Sequence, residues 1–172
     1  MTIETIIVAA EMLIIVALVT NLVVRQVRGQ YMDRRRLWGT PIILAAVGLV
    51  YLPFTVSAVV PADALLLGVE LVLSVAVGLG LGALTRTRVT AAADRRGRRV
   101  QIFSGWRGGA VWIAFIAARL AVQPVASALH AYLSVSAGVV LILLSVARAV
   151  MAVVVSPRLD TATATAAPLD SV

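Results

Sequence analysis

The chain alternates long apolar runs with short polar breaks, and the runs have the length of membrane crossings. The first, "TIIVAAEMLIIVALVTNLVV" at 5–24, covers about 30 Å at about 1.5 Å per residue, the thickness of a hydrocarbon core. Further runs at 37–60, 64–84, 108–122 and 128–155 complete a pattern that predicts an all-α transmembrane bundle of five helices in one domain, 1–155. Pro41 falls in the first turn of the second run, where its missing N–H is harmless, and Pro53 is expected to kink it. Val60-Pro61-Ala62-Asp63 reads as a tight turn, and Gln123-Pro124 closes the fourth run. The Ala/Thr/Pro-rich tail, 156–172, has nothing to bury and is expected to be disordered. The first run does not read as a signal peptide, because Met1-Thr2-Ile3-Glu4 is not a basic n-region and no small-residue cleavage site follows.

Composition strengthens this reading. Apolar residues make up 61% of the chain and charged residues 13%, against about 45–50% and about 25% in soluble domains. The mean hydropathy of +1.02 leaves too little polar surface to cover a soluble fold. The chain has no cysteine, which excludes disulfides, thiolate catalysis and cysteine-ligated metal. All 15 of its lysine-or-arginine positions are arginine and none is lysine, a bias that fits GC-rich coding and a bacterial source.

The arginines are unevenly placed. The break after the first run holds five, among them Arg34, Arg35 and Arg36. The segment "TRTRVTAAADRRGRRVQIFSGWRGG", 85–109, holds seven, among them Arg95, Arg96, Arg98 and Arg99. The breaks around Pro61 and Pro124 hold none. Basic loops mark the cytoplasmic side, so the N-terminus is expected outside and the tail inside, in a bacterial inner membrane. The two loops then serve as topology anchors and as contacts for anionic lipid headgroups. Nucleic-acid binding is not expected, since only Phe103 and Trp106 are available for stacking. Within 85–109, Val100 and Ile102 alternate with polar neighbours around a turn at Asp94-Arg95-Arg96-Gly97, which predicts a short cytoplasmic β-hairpin presenting Phe103 and Trp106 to the interface.

Three charges fall inside apolar runs: Glu11, Glu70 and Arg119. Each would cost roughly 2.5–3.5 kcal/mol at the bilayer centre without a partner or a polar cavity. On the topology above all three lie in the outer leaflet, within one or two turns of one another, and predict a single cluster of two carboxylates around one guanidinium. Two readings of it stay open: a buried ion-pair network that orients helices, and a proton- or cation-handling site open to the outside. Ser74 shares the Glu70 face and, with His130, is an accessory polar candidate. His130, the only histidine, is placed at the outer end of the fifth span as an interfacial residue. Asn21 and Arg148 lie toward inner ends and can snorkel. The small residues Ala110, Ala114, Ala117, Ala118 and Ala121, and separately Gly78, Gly80 and Gly82, offer close-approach faces to other helices. No catalytic triad, metal site or cofactor motif can be assembled, and "GLGLG" lies late in an apolar helix rather than in a strand-to-helix phosphate loop.

The stretch "GLGLGALTRTRV" at 78–89, a basic glycine-turned hairpin, and "GWRGGAVWIAFIAARLAV" at 105–122 together resemble the CcdC-like small membrane proteins of bacteria, in which a Trp-bearing helix carries a late arginine, as Trp112 and Arg119 do here. The resemblance covers about half of the chain and implies a polytopic inner-membrane architecture. Lacking cysteine, this chain cannot itself carry thiol electrons. The expected function is that of a non-enzymatic accessory or assembly protein that docks another membrane protein or a second copy. The alternative is a small transporter or proton-coupled permease component using Glu11, Glu70 and Arg119.

Overall fold

The computed structural model describes residues 30–31, 33–55, 60–90, 100–131, 133 and 136–166. The first predicted span, 5–24, lies outside them. The described chain forms four helices, α1 (Arg34–Thr55), α2 (Pro61–Leu84), α3 (Gly105–Ala128) and α4 (Ala137–Ala166), with three short strands, β1 (Gln30–Tyr31), β2 (Arg86–Val89) and β3 (Val100–Phe103). All four helices are long and apolar enough to cross a membrane.

The helices pack in the order α1–α4–α2–α3, with α4 between α1 and α2. Glycine sets both faces of α4. A Cβ on Gly48 of α1 would lie 2.8 Å from the Gly138 carbonyl oxygen, and one on Gly138 would lie 2.9 Å from that of Gly48, so these backbones touch. On the other side a Cβ on Gly78 would meet the Ala147 carbonyl oxygen at 2.5 Å, and one on Gly82 would meet Val154 Cβ at 2.7 Å. Hydrogen bonds supplement the α1–α4 seam: Ser145 Oγ donates to the Pro41 carbonyl at 2.7 Å and Trp38 Nε1 donates to Ser156 Oγ at 3.3 Å. Away from α4, helix α1 leaves Ile42, Ile43, Leu49, Val50 and Phe54 exposed, the surface expected of a lipid-facing helix.

The strands form one antiparallel sheet in the order β1-β3-β2, with Arg86 opposite Phe103 and Val89 opposite Val100. The predicted alternation holds: Val100 and Ile102 are buried and join the same core as Val155 and Leu159 of α4. The two-residue β1, from the segment before α1, was not expected; it pairs Gln30 with Ile102 and Tyr31 with Gln101.

Several boundaries differ from the sequence expectation. Helix α1 begins at Arg34 rather than 37, because Asp33 Oδ1 accepts the Arg36 N–H at 2.7 Å and caps it. Helix α3 runs through Pro124 to Ala128 instead of ending at 122, and α4 begins at Ala137 instead of 128. The end of α3 is a Schellman turn: Ala131 N–H reaches the Ala126 carbonyl and His130 N–H reaches that of Ser127. Ala126 and Ala131, both fully buried, pack there with Leu66 of α2 and carry the helix past its proline.

The largest correction concerns the tail. Residues from 156 were expected to be disordered, but α4 is continuous to Ala166. Its 30 residues reach about 45 Å, roughly 15 Å more than a hydrocarbon core is thick. The overhang does have something to bury, because Leu159 is covered by the sheet end of the core. Arg158 Nη1 also donates to the carbonyls of Gly82 and Thr85, both at 3.1 Å, and so caps the C-terminus of α2.

Candidate functional site

Glu70, Ser74 and Gly78 recur every fourth residue of α2 and so share one face, all three buried. Helix α3 runs antiparallel beside α2 and places Arg119, Phe115 and Trp112 on its facing stripe, each about a turn apart. Arg119 Nη1 donates to Glu70 Oε1 in an ion pair whose carboxylate is 2% exposed and whose guanidinium side chain is 13% exposed. Two of the three predicted cluster members therefore meet. The third, Glu11, lies outside the described residues, as do Arg95, Arg96, Arg98 and Arg99.

Below the ion pair, toward the sheet, the seam stays polar. Glu70 Oε2, Ser74 Oγ and Trp112 Nε1 are buried without a hydrogen-bond partner among the described residues. Trp112 meets Phe115 edge to face, with centroids 5.9 Å apart. The Arg148 Cζ of α4 lies 5.0 Å from the Trp112 ring centroid, a cation–π contact worth on the order of 2 kcal/mol when desolvated. Arg148, read as able to reach headgroups by snorkelling and so as demanding no role, instead lies against Trp112; it adjoins Ala147, which packs against Gly78. Sequence reasoning missed this partnership. The available signal was the spacing of the small residues Ala147 and Ala152, which marks the buried stripe of α4.

His130 does not stand at the outer end of a fifth span. It is exposed, follows α3, and has φ 55°, the left-handed conformation its Schellman turn demands. Asp63, read as a turn residue, is fully buried in the first turn of α2. Its Oδ2 accepts the Val60 N–H at 2.9 Å and its Oδ1 accepts the Leu133 N–H at 3.1 Å, tying the start of α2 to the segment between α3 and α4.

The two small-residue faces have different fates. Gly78 and Gly82 are packed against α4, and only Gly80 faces open space. On α3, Ala110, Ala114, Ala117 and Ala121 are all exposed, and their spacing of three and four residues aligns them along one side of the helix.

The described arginines other than Arg119 and Arg148 gather at the sheet end: Arg34, Arg35 and Arg36 in the first turn of α1, Arg86 and Arg88 on β2, Arg107 at the start of α3, and Arg158. Trp106 is 72% exposed beside Arg107, whose Cζ is 5.9 Å from its ring centroid. Arg34 also pairs with Asp160 of α4 at 3.5 Å, between two exposed side chains. No cluster of histidine, cysteine and carboxylate side chains suited to a metal ion occurs among the described residues. No protein-family model, no curated protein and no solved structure matches the chain.

Proposed function

We propose that the protein is a multi-pass component of a bacterial inner membrane with no catalytic role, which docks another membrane protein through the alanine face of α3. The observation that carries this reading is the exposure of Ala110, Ala114, Ala117 and Ala121 along one side of a span-length helix. Helices associate in lipid chiefly by close packing, and a small-residue stripe lets a partner backbone approach. The glycine face of α2, by contrast, is already occupied by α4 and is withdrawn from the docking role. In this proposal the predicted first span adds a fifth crossing, the sheet end faces the cytoplasm, and its arginines contact anionic headgroups. The partner is a second membrane protein, with a homo-oligomer as the competing occupant.

The test is purification in mild detergent of the parent protein and of an Ala114→Leu/Ala117→Leu variant, with mass-spectrometric identification of stoichiometric companions. The expected result is a companion retained by the parent and lost by the variant at equal abundance of the protein itself. A monodisperse monomer from native membranes would sink the docking role.

A second reading, a small transporter or proton-coupled permease component, is favoured by one observation: Glu70 keeps Oε2 buried and unpartnered among the described residues. In that reading Glu11, Glu70 and Arg119 form the site. Reconstitution with an entrapped pH-sensitive dye tests it, since Glu70→Gln should abolish any proton flux the parent supports.

A further inference from the structure

The seam between α2 and α3 contains three polar side chains at least nine-tenths buried, each with an atom unpartnered among the described residues. They are Glu70 at 2% exposure, Ser74 at 0% and Trp112 at 1%. Their order along the seam follows from the helix geometry. Ser74 is one turn from Glu70 toward the sheet, and Trp112 is two turns from Arg119 in the same direction, because α2 and α3 are antiparallel and Arg119 is paired to Glu70. Trp112 therefore stands near the level of Gly78, where Arg148 adjoins the Ala147 that Gly78 packs against. The residues that bear these atoms thus follow one another along about 10 Å of the two helices.

The chemistry of these atoms selects what joins them. Trp112 Nε1 can only donate, a carboxylate oxygen accepts, and the Ser74 hydroxyl does both. A cation would find no acceptor in the indole N–H and would face Arg119 and Arg148 along the seam. An anion could accept from Trp112 and Ser74 but would be set against the Glu70 carboxylate. A small neutral species that both donates and accepts satisfies all three, and buried polar groups left unmatched lose their hydration with nothing in exchange. We propose that the α2–α3 seam binds a short file of water molecules held by Glu70 Oε2, Ser74 Oγ and Trp112 Nε1. The waters extend the Glu70–Arg119 pair into a hydrogen-bonded path toward the sheet end. This site stands independently of the docking role of α3, since it lies on the opposite, buried stripe of that helix.

Radiolytic hydroxyl-radical labelling of the full-length protein in liposomes, read by peptide mass spectrometry, tests the site, because water bound beside a side chain is itself the radical source. Trp106, exposed, is the internal reference for full reactivity. The expected result is oxidation of the buried Trp112 in the parent protein and loss of that oxidation in Ser74→Val, which removes the hydroxyl and puts two methyl groups on Cβ in its place. An unlabelled Trp112 in the parent overturns the proposal without any variant, since the seam is then dry. Equal labelling in parent and Ser74→Val also overturns it. Loss of parental labelling when chloride replaces a bulky organic anion overturns it in favour of a bound anion.

Discussion

Glu70 and Arg119 are opposite charges held inside apolar helices, and their value lies in their pairing. A buried pair contributes little over a well-packed apolar substitute, yet removing one member strands the other at a cost of about 3–5 kcal/mol. Arg119→Leu should therefore lower the thermal unfolding temperature in detergent and the yield of monodisperse protein, while Glu70→Leu/Arg119→Leu should recover most of the loss. An Arg119→Leu protein as stable as the parent would deny the pair a structural role. His130 occupies a left-handed position that glycine adopts freely, at a penalty on the order of 1 kcal/mol for a residue bearing Cβ. At this scale the sequence was informative where charge was out of place, since Glu70 and Arg119 stand out in any apolar run. It was uninformative where backbone conformation decided: nothing in "ALHAY" marks His130 as the end of a helix, because the glycine that normally signals such a turn is missing.

The helices add a constraint no single residue carries, which is the order α1–α4–α2–α3. "GLGLG" illustrates it. All three glycines read equally as a close-approach face, yet only Gly78 and Gly82, a turn apart, meet α4, while Gly80 meets nothing within 4 Å. Gly78→Ala should thus destabilise the protein by roughly 1–3 kcal/mol through overpacking against the Ala147 backbone. Gly80→Ala should leave stability unchanged or raise it by about 0.4–1 kcal/mol. Equal effects of the two substitutions in a thermal unfolding series would contradict the α2–α4 seam. Apolar run length was enough to reveal four spans and the approximate centres of three of them, the last helix lying about ten residues further along than its run implied, and residue alternation was enough to reveal the β2–β3 pairing. The ends were less legible because partners fix them. Asp33 adds the first turn of α1, the Ala126–Ala131 packing carries α3 past Pro124, and the sheet gives Leu159 a surface that turns an apparently featureless tail into helix.

At the scale of the molecule the arginines among the described residues are segregated along the helix axes, and this segregation sets the expected orientation. The sheet end carries Arg34, Arg35, Arg36, Arg86, Arg88, Arg107 and Arg158, whereas the described part of the opposite end carries Asp63 and His130 and no arginine. Arginine-rich segments flanking spans are retained on the cytoplasmic side, so the sheet end should face the cytoplasm. Cysteine substitution and labelling with a membrane-impermeant maleimide can decide this, since the chain has no native cysteine to interfere. The choice of positions matters. Asp63 is fully buried and holds the Val60 and Leu133 amides, so a cysteine there would both hide from the reagent and loosen the turn. Ala64, the next residue, is exposed at the same end, and Arg107 is exposed at the sheet end. In intact cells stripped of their outer membrane, Ala64→Cys should react at once and Arg107→Cys only after the inner membrane is opened. The reverse pattern would place the sheet outside and remove the headgroup role of its arginines. Reaction of both positions in intact cells would contradict the membrane-spanning assignment of α2 and α3, because both helices connect these two levels of the molecule.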